Sequence, residues 1–223
     1  MAPRALAEIE RDAGTYHGGS DALEALLPRP AAATDLVRVP DAQWLSTLSR
    51  CVFSAGFNWK VVEKKWPDFE AAYHGFAPGP CSMMTDEEIE AAAKAGGIPH
   101  MAKALSVREN AVLFRELTKS AGSAAQFFAQ SPSNDFAGLL IMLKKRGNRL
   151  GGTTPQYFLR FMGVDGYVLT EDVVKALIRE GVVDKTPTSA KALSATQAAF
   201  NAWAEESGRP LMAISRLLAL SVG

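Results

Sequence analysis

The chain has 223 residues, 48% of them hydrophobic and 22% charged, which supplies a real core and excludes wholesale disorder. Lys and Arg total 24, as do Asp and Glu, so the net charge is zero; a uniformly basic nucleic-acid coat is excluded, a local basic patch is not. Two Cys and three His exclude a disulfide-stapled scaffold and leave little stock for a tetrahedral zinc site. No apolar run approaches the roughly 18 residues that cross a bilayer. The opening MAPRALAEIERDAG mixes charge and alanine with no apolar stretch, so no signal peptide is expected. The expectation is a soluble, cytoplasmic protein without a membrane partner.

Helical spacing dominates the pattern. Residues 1–34 read as an N-terminal arm closed by the Pro/Ala-rich linker from Pro28 to Thr34, with 35–223 as one helical body. Trp44, Leu45, Leu48, Val52 and Ala55 form one amphipathic stripe, with Asp41 after Pro40 as its expected N-cap. Thr85 and Glu88 have capping-box spacing. Ser133 to Asp135 opens a helix that turns Phe136, Leu139, Leu140 and Leu143 inward. Ala192, Leu193, Thr196, Ala199, Phe200 and Trp203 make a further stripe, and Leu211, Ile214, Leu217 and Leu218 another. Gly166 to Leu169 is strand-like but too short and isolated to make a sheet. Breakers include Gly18-Gly19, Pro78-Gly79-Pro80, Gly96-Gly97, Gly147, Gly151-Gly152 and Gly208-Arg209-Pro210. The expected fold is all-α, with about ten short helices.

The run from Lys144 to Pro155 carries the most chemistry. A helix ends in a basic cluster, a glycine-rich hairpin follows, and a second helix starts at threonines with Pro155 in its first turn. Lys144, Lys145, Arg146 and Arg149 flank Gly151, Gly152, Thr153 and Thr154, whose N–H groups would face an anion such as a DNA phosphate. The same cations also suit a solvated helix C-terminus, and local chemistry leaves both readings open.

The segment KKRGNRLGGTTPQYFLRFMGV resembles the helix–hairpin–helix of the DNA-3-methyladenine glycosylase I family. Ala55-Gly56-Phe57-Asn58-Trp59, with the aromatic helix through Tyr73-His74-Gly75-Phe76, is similar to that family's A-G-L-S-W segment. Gly97-Ile98-Pro99-His100, Lys103 and Asn110-Ala111 follow in the family's order. Together the matches cover roughly residues 42 to 176. The resemblance implies a helix–hairpin–helix DNA glycosylase fold and a monomer acting on double-stranded DNA. Such an enzyme flips a damaged base and hydrolyses its N-glycosidic bond without a cofactor.

The resemblance implies that Trp59 lines the base pocket, with Cys51, Phe53 and Tyr16 as further candidates. It also marks departures. Cys51 stands where the family has its pocket glutamate; its own spacing suits a small buried residue. Thr170 stands at the wider superfamily's catalytic Asp, with Glu171 and Asp172 beside it as candidate acids; all three equally suit a capped helix start. Thr153-Thr154 occupies the place of the superfamily's Schiff-base lysine, so lyase chemistry is not expected. The family's zinc site needs a C-terminal His-x-x-x-Cys, and no His follows His100 and no Cys follows Cys81, so no metal is expected. Tyr16-His17 echoes the family's Tyr-His pair. Three functions stay open: an alkylated-base glycosylase, a catalytically inactive DNA-binding or lesion-sensing relative, and a helical interaction module.

Overall fold

The computed structural model describes residues 3–222; Met1 and Ala2 of the opening stretch lie outside them. It is all-α, without a strand among the described residues, as the periodicity implies. The described residues form fourteen α-helices and two 3-10 turns rather than about ten helices, because several short segments the sequence reads as loops are single helical turns. In chain order these are α1 (Leu6–Tyr16), α2 (Ser20–Glu24), α3 (Ala33–Leu36), α4 (Asp41–Ser54), α5 (Trp59–Ala72), α6 (Pro78–Cys81) and α7 (Asp86–Ala95). They continue with α8 (Met101–Ala121), α9 (Ala124–Gln130), α10 (Phe136–Arg146), α11 (Thr154–Met162), α12 (Glu171–Arg179), α13 (Ala190–Ser207) and α14 (Leu211–Leu220). Pro78-Gly79-Pro80, expected to break structure, starts α6, since proline suits a first turn that has no partner for its missing N–H.

The helices fall into two compact units. The first comprises residues 3–31, 132–141 and 163–222. Its N-terminal segment is not a free arm. Leu6, Ile9 and Ala13 of α1 are fully buried, and α1 packs on α13 and α14. Tyr167, from the buried extended stretch 166–169, stacks on Phe200 at 4.5 Å and meets Phe136 edge-on at 5.0 Å. The stretch makes no sheet: Val168 N–H donates to the Ser215 hydroxyl of α14 instead. Phe136, Leu139 and Leu140 point inward as their spacing predicts.

A charged clasp ties the ends of this unit together. The Glu180 carboxylate accepts from Arg4 at 2.8 and 3.0 Å and from Arg179 at 2.8 Å, while Arg179 also donates to the Ser221 carbonyl and hydroxyl. Burial by itself would raise the Glu180 pKa, but the two arginine hydrogen bonds outweigh it and hold the carboxyl below its ordinary value. A lowered folded-state pKa stabilises the fold above the unfolded value of about 4.3 and loses that stabilisation as pH falls through the folded value. Glu180→Gln should therefore lower the melting temperature at neutral pH and narrow its gap to wild type below about pH 4. Thermal melts across that range check it; a constant gap at every pH contradicts it.

The second unit comprises residues 32–131 and 142–162. Trp44 of α4 stacks on Phe128 of α9 at 5.0 Å, and Phe158 of α11 meets both edge-on. Phe53, Trp66, Phe69, Tyr73 and Phe76 form a second run of ring contacts. Asp41 does not cap its own helix. Pro40 holds that position, and the Asp41 carboxylate accepts from the N–H groups of Ala124 and Ala125 at the start of α9. Ala55 lies past the end of α4 and is exposed, so the buried stripe stops at Ser54. The Thr85–Glu88 capping box forms as its spacing predicts.

Candidate functional site

The glycine hairpin is built as its residue order dictates. α10 ends at Arg146, the chain turns, and α11 opens at Thr154 with buried Pro155 in its first turn. Gly152 has φ +59°, a backbone region that favours glycine, and nothing stands within 4 Å of the Cβ positions of Gly151 or Gly152. Gly151, Gly152 and Thr153 are exposed, and Thr154 is partly so. Their surface is open to a partner the size of a phosphate.

What fixes the hairpin is Asn110 of α8. Its side chain, only 1% exposed, accepts from Asn148 N–H at 2.8 Å and donates to the Asn148 carbonyl at 3.0 Å. Glu109 accepts from the Asn148 side chain. Arg149, itself at φ +59°, donates through Nε to the Ala102 carbonyl at 3.0 Å. A buried amide that satisfies both backbone groups of one residue sets the loop's path more firmly than loop packing would.

The four hairpin cations are not equivalent. All are exposed. Arg146 is paired with Glu116 at 3.0 Å and Arg149 is engaged by the carbonyl just described, whereas Lys144 and Lys145 have no ion pair among the described residues. The residual positive charge therefore sits chiefly on the two lysines.

The Ala55–Trp59 segment is held from beneath by Lys103. Lys103 is only 4% exposed, and its Nζ donates to the carbonyls of Phe53 (2.8 Å) and Ala55 (2.6 Å), satisfying the end of α4, and lies 4.2 Å from the Phe57 ring centre. Burial, with help from nearby Arg149, lowers the Lys103 pKa. Beyond this prop Asn58 caps α5, accepting from Lys60 N–H, and Trp59 starts that helix with 40% of its surface exposed. Trp59 meets Tyr157 at 6.0 Å and Phe161 at 5.5 Å, both from α11, the helix that follows the hairpin. Phe57 is also exposed, at the tip of the turn.

Residues 37–137 match the model of the methyladenine glycosylase family. The match spans a little under half of the chain. It takes in the A-G-x-x-W segment and the Gly97–His100 run, on which the resemblance partly rests, and ends before the hairpin. No curated protein sequence matches the chain. Among solved structures it is similar to 3-methyladenine DNA glycosylase I of Staphylococcus aureus, with 20% identity, a TM-score of 0.51, and coverage of 64% of this chain and 82% of that one. It is also similar to the 8-oxoguanine DNA glycosylase of Thermotoga maritima (17% identity, TM-score 0.55, covering 96% and 93%). A third is the 8-oxoguanine glycosylase/lyase of Methanocaldococcus jannaschii (13%, 0.53, 95% and 95%). At these identities the likeness establishes a shared fold.

The remaining candidates have identifiable places. Cys51 is 1% exposed on α4, and burial pushes its thiol pKa up to about 12. It is a neutral packing residue, as its spacing predicts. Phe53 is fully buried against Trp66 and Phe69, which removes it from any open pocket. Tyr16 is exposed on α1, which belongs to the first unit, whereas Cys51, Phe53 and Trp59 belong to the second.

Thr170 accepts from Val173 N–H at 3.3 Å and caps α12. Glu171 and Asp172 are exposed, and both pair with Lys175 at 3.2 Å. Of their two readings, capping and first-turn charge are what their contacts carry.

Asp165, not singled out from the sequence, accepts from the N–H groups of Leu211 and Met212 and fixes the start of α14. The Gly208-Arg209-Pro210 break announced a helix start there, but nothing local to it names an acceptor 46 residues away.

The residues do not fit the family's zinc site. No three His, Cys, Asp or Glu side chains converge among the described residues. The Cys81 thiol donates to the Tyr73 carbonyl, and His17 Nε2 lies 3.2 Å from the Leu220 carbonyl.

Proposed function

We propose that the protein is a monofunctional DNA base-excision glycosylase. It acts in the cytoplasm as a monomer on double-stranded DNA, turns an alkylated base such as 3-methyladenine out of the duplex, and hydrolyses its N-glycosidic bond without a cofactor. The observation that carries this reading is the open Gly151-Gly152 hairpin. It is fastened to α8 by buried Asn110 and flanked by the unpaired Lys144 and Lys145. A packing turn needs neither the empty space before its glycines nor cations left without partners. In this reading the hairpin N–H groups and the two lysines grip backbone phosphates and give no sequence information. Exposed Phe57 and Trp59 then meet bases.

Chemistry follows from the substrate more than from a strong acid in the site. A 3-methylated purine is cationic, so its bond to the sugar is already weakened and the base leaves neutral. Water then adds to the sugar cation and releases a proton. An indole face attracts a cationic ring, so Trp59 favours the damaged base over a neutral one. Thr170, Glu171 and Asp172 stand where an acid would be sought. Their capping and Lys175 contacts predict that Glu171→Gln and Asp172→Asn each change stability by less than about 0.5 kcal/mol and leave base release within about twofold. A loss of roughly 100-fold in either variant, with fold and DNA affinity intact, would make that residue catalytic.

One observation favours a second reading, a lesion-binding protein without catalysis. The position of the family's recognition glutamate holds a buried, protonated thiol that cannot accept strong hydrogen bonds from a base. Release of free base from methylated duplex DNA separates the two readings.

A further inference from the structure

A cavity of about 490 Å³ lies within the second unit, between α4, α5 and the turn after α5. No residue of the hairpin or of the Ala55–Trp59 segment lines it. Gln43, Ser46, Thr47 and Arg50 fall at helical spacing and give it one face of α4; Trp66 and Glu70 of α5 form the other wall. A relay ties the walls together. The Trp66 indole N–H donates to the Ser46 hydroxyl at 2.9 Å, and that hydroxyl donates to the Glu70 carboxylate at 3.1 Å. The relay satisfies buried Ser46 and holds the carboxylate at the cavity wall.

The groups beside the relay are left open. Arg50 is partly exposed and has no ion pair or hydrogen bond among the described residues, and Glu70 has no cation paired with it among them. Thr47 is 8% exposed, yet its hydroxyl hydrogen-bonds nothing among the described residues. Elsewhere in the chain a helical threonine turns its hydroxyl back onto the carbonyl four residues earlier, as Thr118 and Thr196 do. Gly75 completes the lining, and His74, Gly75 and Phe76 stand in succession at φ +52°, +61° and +56°. His74 and Phe76 carry side chains there, a costly backbone of the kind that clusters at ligand clamps. Nothing stands within 4 Å of the Gly75 Cβ position.

We propose that this cavity binds a small zwitterion of the α-amino-acid class, with its carboxylate on Arg50 and Thr47 and its ammonium on Glu70. Opposite charges that line one cavity without pairing leave a gap, and a lone anion or a lone cation would satisfy one side and bury the other uncompensated. Arg50 stands one turn beyond Ser46, the residue that holds Glu70, which is about 6 Å along α4. An ammonium and a carboxylate joined through one carbon, each extended by a charge-assisted hydrogen bond of about 2.8 Å, span a gap of that size. The cavity has room beyond the amino-acid backbone, and Pro40 and Ala42 offer a side chain an apolar wall. The inference stands apart from the glycosylase reading and does not depend on it.

Calorimetric titration of the full chain with glycine, L-alanine, L-leucine and L-phenylalanine tests it, with acetate and ethylammonium as singly charged controls. At least one amino acid should bind saturably at one site, and neither control should. Arg50→Gln and Glu70→Gln should each weaken that binding by about 10- to 100-fold. Glutamine at position 70 still accepts from Ser46, so the relay survives the change. Thr47→Val keeps the shape without the hydroxyl and should cost about 2- to 10-fold. Thermal melts of the unliganded variants confirm that each is folded. Absence of saturable binding of all four amino acids to wild type would overturn the proposal, as would affinities unchanged in folded Arg50→Gln and Glu70→Gln. Acetate that binds as tightly as the amino acids would reduce the cavity to an anion patch and also overturn it.

Discussion

Replacing Lys144 and Lys145 together with alanine should weaken duplex binding by about 10- to 100-fold at physiological salt, for every sequence tried. The plot of log affinity against log salt should flatten by about 2. Each lysine that neutralises a phosphate releases roughly one counterion, and neither is paired with a carboxylate among the described residues. Arg146→Ala is a weaker test of the same idea, because it removes a cation already paired with Glu116 and leaves that carboxylate beside the DNA path. Binding titrations at several salt concentrations check both; an unchanged slope in the double variant would take the hairpin out of the interface.

Cys51→Glu should destabilise the fold by about 3–5 kcal/mol and create no release of 3-methyladenine. The substitution restores the residue that the family resemblance puts at this position. Its surroundings no longer match, however. The thiol is 1% exposed, burial disfavours its ionisation more than nearby Arg50 favours it, and no basic side chain hydrogen-bonds it among the described residues. A carboxylate there would be buried without a hydrogen-bonded cation, or forced to stay protonated. Cys51→Ser, which buries only a hydroxyl, should cost about 1–3 kcal/mol. Urea melts measure both. A well-folded Cys51→Glu variant that gains 3-methyladenine release would mean that this part of α4 borders an open base pocket after all.

The parts of this protein that were legible in its sequence are those whose physics is local. The Thr85–Glu88 box, the inward stripe of Phe136 to Leu143, and the hairpin with Pro155 in the first turn of α11 follow from residues a few positions apart. The contacts that were not legible join distant positions. Asp41 looks like a cap for its own helix, yet it serves Ala124 and Ala125. Residues 1–34 look like an arm because they end in a Pro/Ala-rich stretch, yet Arg4 reaches Glu180 and Trp203 donates to the Arg4 carbonyl. In the site, the hairpin and Trp59 could be read from motif and spacing. The clamp by Asn110, the prop by Lys103 and the company of Trp59 could not, because they depend on how α4, α5, α8 and α11 meet within one unit. Phe53 was misplaced for a related reason: one residue in from an exposed turn, it belongs to the aromatic core.

Base release is the central claim, and one measurement addresses it directly. Duplex DNA methylated by an alkylating agent is incubated with the purified full-length chain, and the free bases are identified chromatographically against a no-protein control. The expected result is enzyme-dependent release of a methylated purine, lost or strongly reduced in the Lys144/Lys145 double alanine variant and in Trp59→Ala. Tight binding to the same DNA with no base released above the control would contradict it, and would make the protein one that binds DNA without excising a base.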